Sequence, residues 1–298
     1  MLEAVERRIG QYIAELEDRD AQELYRRLPA GKRLRARLIL TIAGGGPAAV
    51  KTAAVVEMIH AASLLHDDVI DDADLRRGRP SLNALYGSKT SIMFGDVLYA
   101  KAFHELVDID RQVARVLSHA VIELSLGERQ DVLLSEQFNP DRSAYLKMIY
   151  QKTASLIEAS AEAAAILAGK NRQAYRTYGR NLGIAFQMID DLLDITQSAE
   201  ALGKPAMHDF EEGKTTLPYI YLYEALSEPD RRRLLALHRR PVTAESAAWI
   251  RERMEETGAL ERSRTEARGL IEEAIALMRR EGEPELEAMA RKMIERNY

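Results

Sequence analysis

Apolar residues along this 298-residue chain return every three or four positions, and windows in which β-branched residues alternate with polar ones are scarce. Helix formers fill the positions between them. The pattern predicts an all-α protein. A stripe of Val5, Ile9, Tyr12, Ile13 and Leu16 predicts a first helix from about Glu3 to Leu24. A second is expected over Leu34 to Ala43, ended by Gly44-Gly45-Gly46-Pro47, and a long third starts after Pro47 and runs through His66. Gly78 and Pro80 predict a loop. Further helices are expected at about 90–108, 110–135, 141–169 and 171–198, followed by shorter ones after Pro218 and Pro229. Asn139-Pro140-Asp141 predicts a turn with Asp141 as N-cap.

The chain is 46% hydrophobic and 30% charged, enough for a large core under an ordinary polar surface. No Pro/Gly/Ser-rich linker, repeat or low-complexity tract divides it, which predicts one domain over residues 1–298. Without cysteine there is no disulfide framework, thiolate nucleophile or Cys-based zinc site, in keeping with a cytoplasmic setting. The start, Met-Leu-Glu-Ala-Val-Glu-Arg-Arg, lacks the layout of a signal peptide. A net charge of −5 gives no global case for nucleic-acid binding, and Arg231-Arg232-Arg233 and Arg239-Arg240 read as a solvated helix face. Charges such as Glu158 and Glu162 interrupt the apolar stretches, so no transmembrane segment is expected. Any membrane contact would be peripheral.

Two acidic runs carry the chemistry: Asp67-Asp68-Val69-Ile70-Asp71 and Asp190-Asp191-Leu192-Leu193-Asp194. On a helix, Asp67 and Asp71 lie about 40° apart around the axis and roughly 6 Å apart along it, with Asp68 beside them. The second run repeats this with Asp190, Asp191 and Asp194, and Gln187 stands one turn earlier. Nothing basic at i+4 relieves Asp67 or Asp68, so a divalent cation would. Oxygen ligands without His or Cys favour Mg²⁺, usually completed by substrate phosphates. Either run alone reads equally well as a solvated helix end. Both follow strongly apolar helix, however, and project from packed segments.

Cations for a diphosphate stand in loop-like contexts: Lys32, Arg33 and Arg35; Arg76, Arg77 and Arg79; Lys152; Lys204; Lys214. Together with a metal they would stabilise a departing diphosphate. Singly, each reads as a surface charge.

These residues, in this order, resemble the trans-type polyprenyl diphosphate synthases, and in particular their long-chain, octaprenyl-type members, across most of the chain. The resemblance rests on Gly31-Lys32-Arg33-Leu34-Arg35, Glu57-Met58-Ile59-His60, His66-Asp67-Asp68-Val69-Ile70-Asp71-Asp72, Arg76-Arg77-Gly78 and Lys152-Thr153. It continues in Gly183 to Asp194, Gly203-Lys204 and Gly213-Lys214-Thr215-Thr216-Leu217-Pro218. Ala36 stands where the family commonly has Pro. That alters a helix-start preference and leaves the charges in place.

The resemblance implies a bundle of long helices around a deep central cavity, usually a homodimer, joining isopentenyl diphosphate to an allylic diphosphate, with three Mg²⁺ ions when the latter is bound. It assigns Lys32, Arg35, His60 and Arg77 to isopentenyl diphosphate. Arg76, Lys152, Thr153, Gln187, Lys204 and Lys214 would hold the allylic diphosphate. Asp67, Asp71 and Asp190 would ligate Mg²⁺ most directly, with Asp68, Asp191 and Asp194 in support. Asp67, Asp68, Asp71, Arg76, Lys152, Asp190 and Lys204 would then carry the catalysis. Ala62 and Ser63, with Met58 and Ile59 another turn down, would floor the product cavity. Small residues there resemble the long-chain group, around octaprenyl, and a geranylgeranyl or farnesyl product is the alternative.

Other classes fit less well. Glu57-Met58-Ile59-His60 matches the Glu-x-x-His motif of di-iron bundles, but no second copy stands at the remaining histidines. Gly213-Lys214-Thr215 invites a P-loop, yet His208 occupies the position of its first glycine. A non-catalytic subunit would not need complete acidic motifs, and a terpene cyclase would not need Lys32, Arg35 and His60.

Overall fold

The computed structural model describes residues 1–29, 31–197 and 207–295, which fall into two compact units. Unit 1 takes in Met1–Ile122 and Leu156–Gly179, and unit 2 takes in Glu123–Ser155 and the residues from Arg180 onward. Each is built of helices, as the apolar periodicity requires.

Unit 1 holds α1 (Leu2–Ala14), α2 (Arg19–Arg27), α3 (Leu34–Ala43), α4 (Pro47–Ile70), a hairpin of β1 (Leu75–Arg76) and β2 (Arg79–Pro80), α5 (Leu82–Tyr86) and α6 (Ser88–Leu106). The long helix α4 packs against α6, α3 and α1. Its inner residues Val55, Val56, Met58, Ile59 and Ala62 are fully buried. Pro47 opens it, where a missing N–H costs nothing.

Three expectations need correction here. The first helix is not continuous from Glu3 to Leu24. It ends at Ala14, Glu17 takes a positive φ of 54°, and Asp18 restarts the chain as an N-cap whose carboxylate accepts from Ala21 N at 2.8 Å. The segment around Gly78 and Pro80 is a two-stranded hairpin pairing Leu75 with Pro80 and Arg76 with Arg79, not an open loop. Finally, α4 is long and apolar enough to cross a membrane by length and composition. Its most apolar window is 61% buried by the protein, as in a core helix, and it ends in the aspartate motif.

The chain continues through α7 (Arg111–Leu134), α8 (Arg142–Ile149), α9 (Ser155–Ala168) and α10 (Arg172–Thr196). Asp141 caps α8 as expected, accepting from Ser143 N at 2.8 Å and Ala144 N at 3.3 Å. The helix expected over 141–169 is interrupted by a π-turn at Tyr150–Ala154. Such turns insert one residue into the helical repeat and recur at functional sites.

In unit 2, α11 (His208–Glu211) is followed by α12 (Leu217–Ala225), α13 (Glu228–Leu237), α14 (Ala244–Thr257), α15 (Ala259–Glu281) and α16 (Pro284–Glu295). These are not all short, since α15 has 23 residues. Their core joins Tyr145 and Ile149 of α8 and Met188, Leu192 and Ile195 of α10 to Phe210, Tyr219, Ile220 and Leu234.

Candidate active site

In unit 1, α4 delivers Asp67 and Asp68 in its last turn and Asp71 as its C-cap. Asp67 is half-buried and Asp71 exposed, whereas Asp68 is only 4% exposed. Burial raises the Asp68 pKa, and Arg76 opposes the rise. Arg76 Nε donates to Asp68 Oδ1 at 2.7 Å, and Arg76 Nη2 donates to the same oxygen. The relief that was missing at i+4 therefore arrives at i+8. The hairpin makes this possible: Arg77 and Gly78, its two central residues, have φ of 54° and 71°, the two positive values that a type I′ turn demands. Ser81 Oγ donates to Ala73 O at 2.7 Å and ties the returning strand to the end of α4.

A cationic group surrounds His60 in the same unit. Burial first, then the charges of Arg35, Arg77, Arg76 and Arg33, hold its pKa well below the ordinary histidine value. Burial first, then neighbouring arginines, also lower the pKa values of Arg35 and Arg77 against the charge of Glu57. The Arg35 Nε is buried and makes no hydrogen bond. Arg77 Nη1 donates to Pro29 O at 3.4 Å and lies 3.0 Å from where a Cβ on Gly31 would stand, so Gly31 leaves room for the guanidinium. Lys32 is exposed. Glu57 has both oxygens engaged, by Ala36 N and by Arg33, and so offers none of the free carboxylate that the di-iron alternative needs.

The second motif, in unit 2, is held differently. Asp190 is exposed, while Asp191 is 3% exposed and Asp194 is buried. Tyr145 Oη donates to Asp191 Oδ2 at 2.6 Å, and Gln187 Nε2 donates to Asp191 Oδ1 at 2.8 Å. Thr153 Oγ1 in turn donates to Gln187 Oε1 at 2.8 Å. Burial, reinforced by the charges of Asp209 and Asp190, pushes the Asp191 pKa up to about 8 against those two hydrogen bonds. Asp194 Oδ2 accepts from Asp209 N at 3.2 Å, and Asp194 O accepts from Met207 N at 2.8 Å, so this residue anchors the start of α11.

Lys152 and Thr153 sit in the π-turn. Lys152 Nζ lies 2.6 Å from Asp131 Oδ2 and 2.9 Å from Glu128 Oε2, so the cation assigned to a diphosphate is engaged by two carboxylates of α7. The turn is tightly enclosed: a Cβ on Gly127 would fall 2.3 Å from Lys152 N, and one on Gly183 would fall 2.6 Å from Ala154 Cα. Lys214 Nζ lies 2.7 Å from Glu212 Oε2. Lys204 falls outside the described residues.

Of the four residues expected to floor the cavity, Met58, Ile59 and Ala62 are fully buried, and Ser63 alone is partly exposed. Ser63 Oγ donates to His60 O at 2.9 Å. Tyr145, Glu128 and Asp131 escaped the sequence reading. The spacing of Glu128 and Asp131, three apart on α7, was the available signal. Nothing local marks Tyr145, which meets Asp191 across 46 residues. Among the described residues, no three His, Cys, Asp or Glu side chains converge as a ready-made metal cage.

The polyprenyl synthetase family model matches residues 21–254. The octaprenyl diphosphate synthase of Haemophilus influenzae is 36% identical over 256 residues, covering 83% of this chain and 70% of that protein. A short chain isoprenyl diphosphate synthase of Methanothermobacter thermautotrophicus is 38% identical over 219 residues, covering 70% of this chain and 67% of that one. The crystal structure of octaprenyl pyrophosphate synthase from Helicobacter pylori matches with a TM-score of 0.93 and 41% identity over 98% of both chains. By sequence and by this shared isoprenoid synthase fold, the chain belongs to the polyprenyl synthetase family and is a prenyltransferase.

Proposed function

We propose that this enzyme elongates an allylic diphosphate, farnesyl or geranylgeranyl, with isopentenyl diphosphate to a long all-trans chain around octaprenyl. The observation that carries the reading is the positive group around His60: Arg35 and Arg77 stand beside Arg76 and Arg33, which Asp68, Glu6 and Glu57 already engage, and Arg35 Nε is buried unbonded. Such a group is completed by a polyanion, and a diphosphate has the charge and the acceptors to do so.

Lys32, Arg35, His60 and Arg77 take the isopentenyl diphosphate in this reading. Lys152, Thr153, Gln187, Lys204 and Lys214, with Arg76, take the allylic one. Asp67, Asp71 and Asp190, half-buried or exposed, would hold Mg²⁺, a cation that prefers oxygen ligands. Bound there, Mg²⁺ supplies positive charge to the departing diphosphate. Asp68, Asp191 and Asp194 hold the motifs in place. Lys152 would draw on the leaving group once the diphosphate competes with Glu128 and Asp131 for it. The allylic C–O bond breaks, the isopentenyl double bond closes a new C–C bond on the cation, and the released diphosphate takes the proton. Isolation of the cation from water protects it from quenching.

Chain length is best tested at Ser63, the partly exposed position among the four. Ser63→Tyr should shorten the products made from farnesyl and isopentenyl diphosphates, sized by chromatography after dephosphorylation. An unchanged product distribution would place the floor elsewhere. The family resemblance also supports a homodimer in the cytoplasm.

A further inference from the structure

Glu57 was singled out in the sequence as half of a Glu-x-x-His pair, and the reaction gives it no part. It is 3% exposed, and such burial of a carboxylate calls for compensation. Oε1 accepts from Ala36 N at 3.0 Å, and Oε2 lies 3.3 Å from Arg33 Nη1.

Both contacts act on the turn that carries Lys32 and Arg35. Helix α3 begins at Leu34, so Ala36 N is one of the first amides left without a partner inside the helix. The residue before the helix, Arg33, gives no side-chain cap. The cap comes instead from α4, 21 residues on. Arg33 itself is held in the left-handed region, at φ 53° and ψ 41°, where a non-glycine residue persists only if its surroundings hold it. They do so from two sides. Its guanidinium donates to Glu6 on α1 at 2.6 and 3.1 Å and to Glu57 on α4.

Glu57 also stands in the electrostatics of the group. Its negative charge acts on both Arg35 and Arg77 against the repulsion among the arginines. The same helix carries His60 three residues later, so one carboxylate ties α3, Arg33 and the His60 face of α4 together.

We propose that Glu57 is a positioning residue for the isopentenyl diphosphate subsite: its buried carboxylate caps α3 and holds Arg33, fixing the Gly31–Arg35 turn so that Lys32 and Arg35 serve one diphosphate. This rests on the reading that Lys32, Arg35, His60 and Arg77 take isopentenyl diphosphate.

Steady-state kinetics of the full chain test it. Glu57→Gln cannot accept from both Ala36 N and Arg33, because one of its ends is a donor. It should raise KM for isopentenyl diphosphate about tenfold while KM for the allylic diphosphate stays within about twofold. Glu57→Asp, which keeps the charge, should recover part of the loss. Arg33→Met cuts the same ion pair from its other side and should give the same selective rise, which decides the matter if Glu57→Gln does not fold. Lys32→Ala and Arg77→Ala distinguish a failure of the subsite from a failure of the positioning role. If both leave the isopentenyl KM unchanged, the subsite reading fails. If they raise it while folded Glu57→Gln, or Arg33→Met in its place, leaves it unchanged or raises both KM values equally, the positioning role of Glu57 is overturned.

Discussion

Asp68 and Asp191 are the second aspartates of two copies of one motif, and both are buried, but the protein satisfies them in opposite ways. Asp68 is met by a charge, since Arg76 returns from the hairpin to donate twice to Oδ1. Asp191 is met by two neutral donors, Tyr145 and Gln187, while Asp209 and Asp190 add negative charge around it. A motif of identical letters is thus set into one ion-paired and one hydrogen-bonded environment. The letters D-D-x-x-D do not decide how the buried second aspartate is satisfied; residues outside the motif do. In both copies an aspartate less buried than its neighbour accompanies it, half-buried Asp67 and exposed Asp71 in one and exposed Asp190 in the other.

The largest effect should come from the residues that the two copies share. Asp67→Asn and Asp190→Asn should each lower kcat by about 10²–10³-fold, the scale of losing one charge-stabilising group, with little change in thermal midpoint. A midpoint that falls as steeply as the rate would mean that these carboxylates are structural.

Next comes the contrast itself. Arg76→Met strands the Asp68 carboxylate and should destabilise the fold by about 3 kcal/mol in denaturant unfolding. Adding Asp68→Asn should restore much of it. Tyr145→Phe removes a single neutral donor and should cost only about 1–2 kcal/mol, since Gln187 still donates to Asp191. Equal costs at the two sites would erase the distinction between ion-paired and hydrogen-bonded copies.

Smallest is a pH effect in the cationic group. Because burial and four arginines depress the His60 pKa, the folded protein leaves it neutral where the unfolded chain protonates it. Its contribution is therefore complete above the ordinary value of about 6.5 and is lost as pH falls below it. His60→Asn should flatten the decline in stability between about pH 6.5 and 5. Isopentenyl diphosphate bound there as proposed would counter the arginines and should raise the His60 pKa, seen as proton uptake on binding by calorimetry in buffers of different ionisation enthalpy.

The all-α fold was legible because periodic apolar residues mark helices wherever they are long, as in α3, α4 and α10. The break after Ala14 was harder to see, since the stripe runs on to Leu16 while the decisive signal is the single cap at Asp18. A π-turn inserts one residue and barely disturbs the apolar pattern, so Tyr150–Ala154 read as ordinary helix. Within the site, the aspartates and arginines were legible as types at a spacing. Their partners were not, because Arg76 reaches Asp68 through a hairpin with strands of only two residues, and Tyr145 reaches Asp191 through the tertiary fold. Glu57 was misleading for the same reason. Its spacing to His60 resembles a metal motif, and only the packing of α3 on α4 shows its carboxylate spent on an amide and a guanidinium.

The most direct test of the account is incorporation of labelled isopentenyl diphosphate into farnesyl diphosphate, with Mg²⁺ present, by the unaltered protein beside Asp67→Asn and Asp190→Asn. One dominant long product from the unaltered protein and little incorporation by either variant are expected. No elongation by the unaltered protein with any allylic primer, or undiminished elongation by a variant, would contradict it.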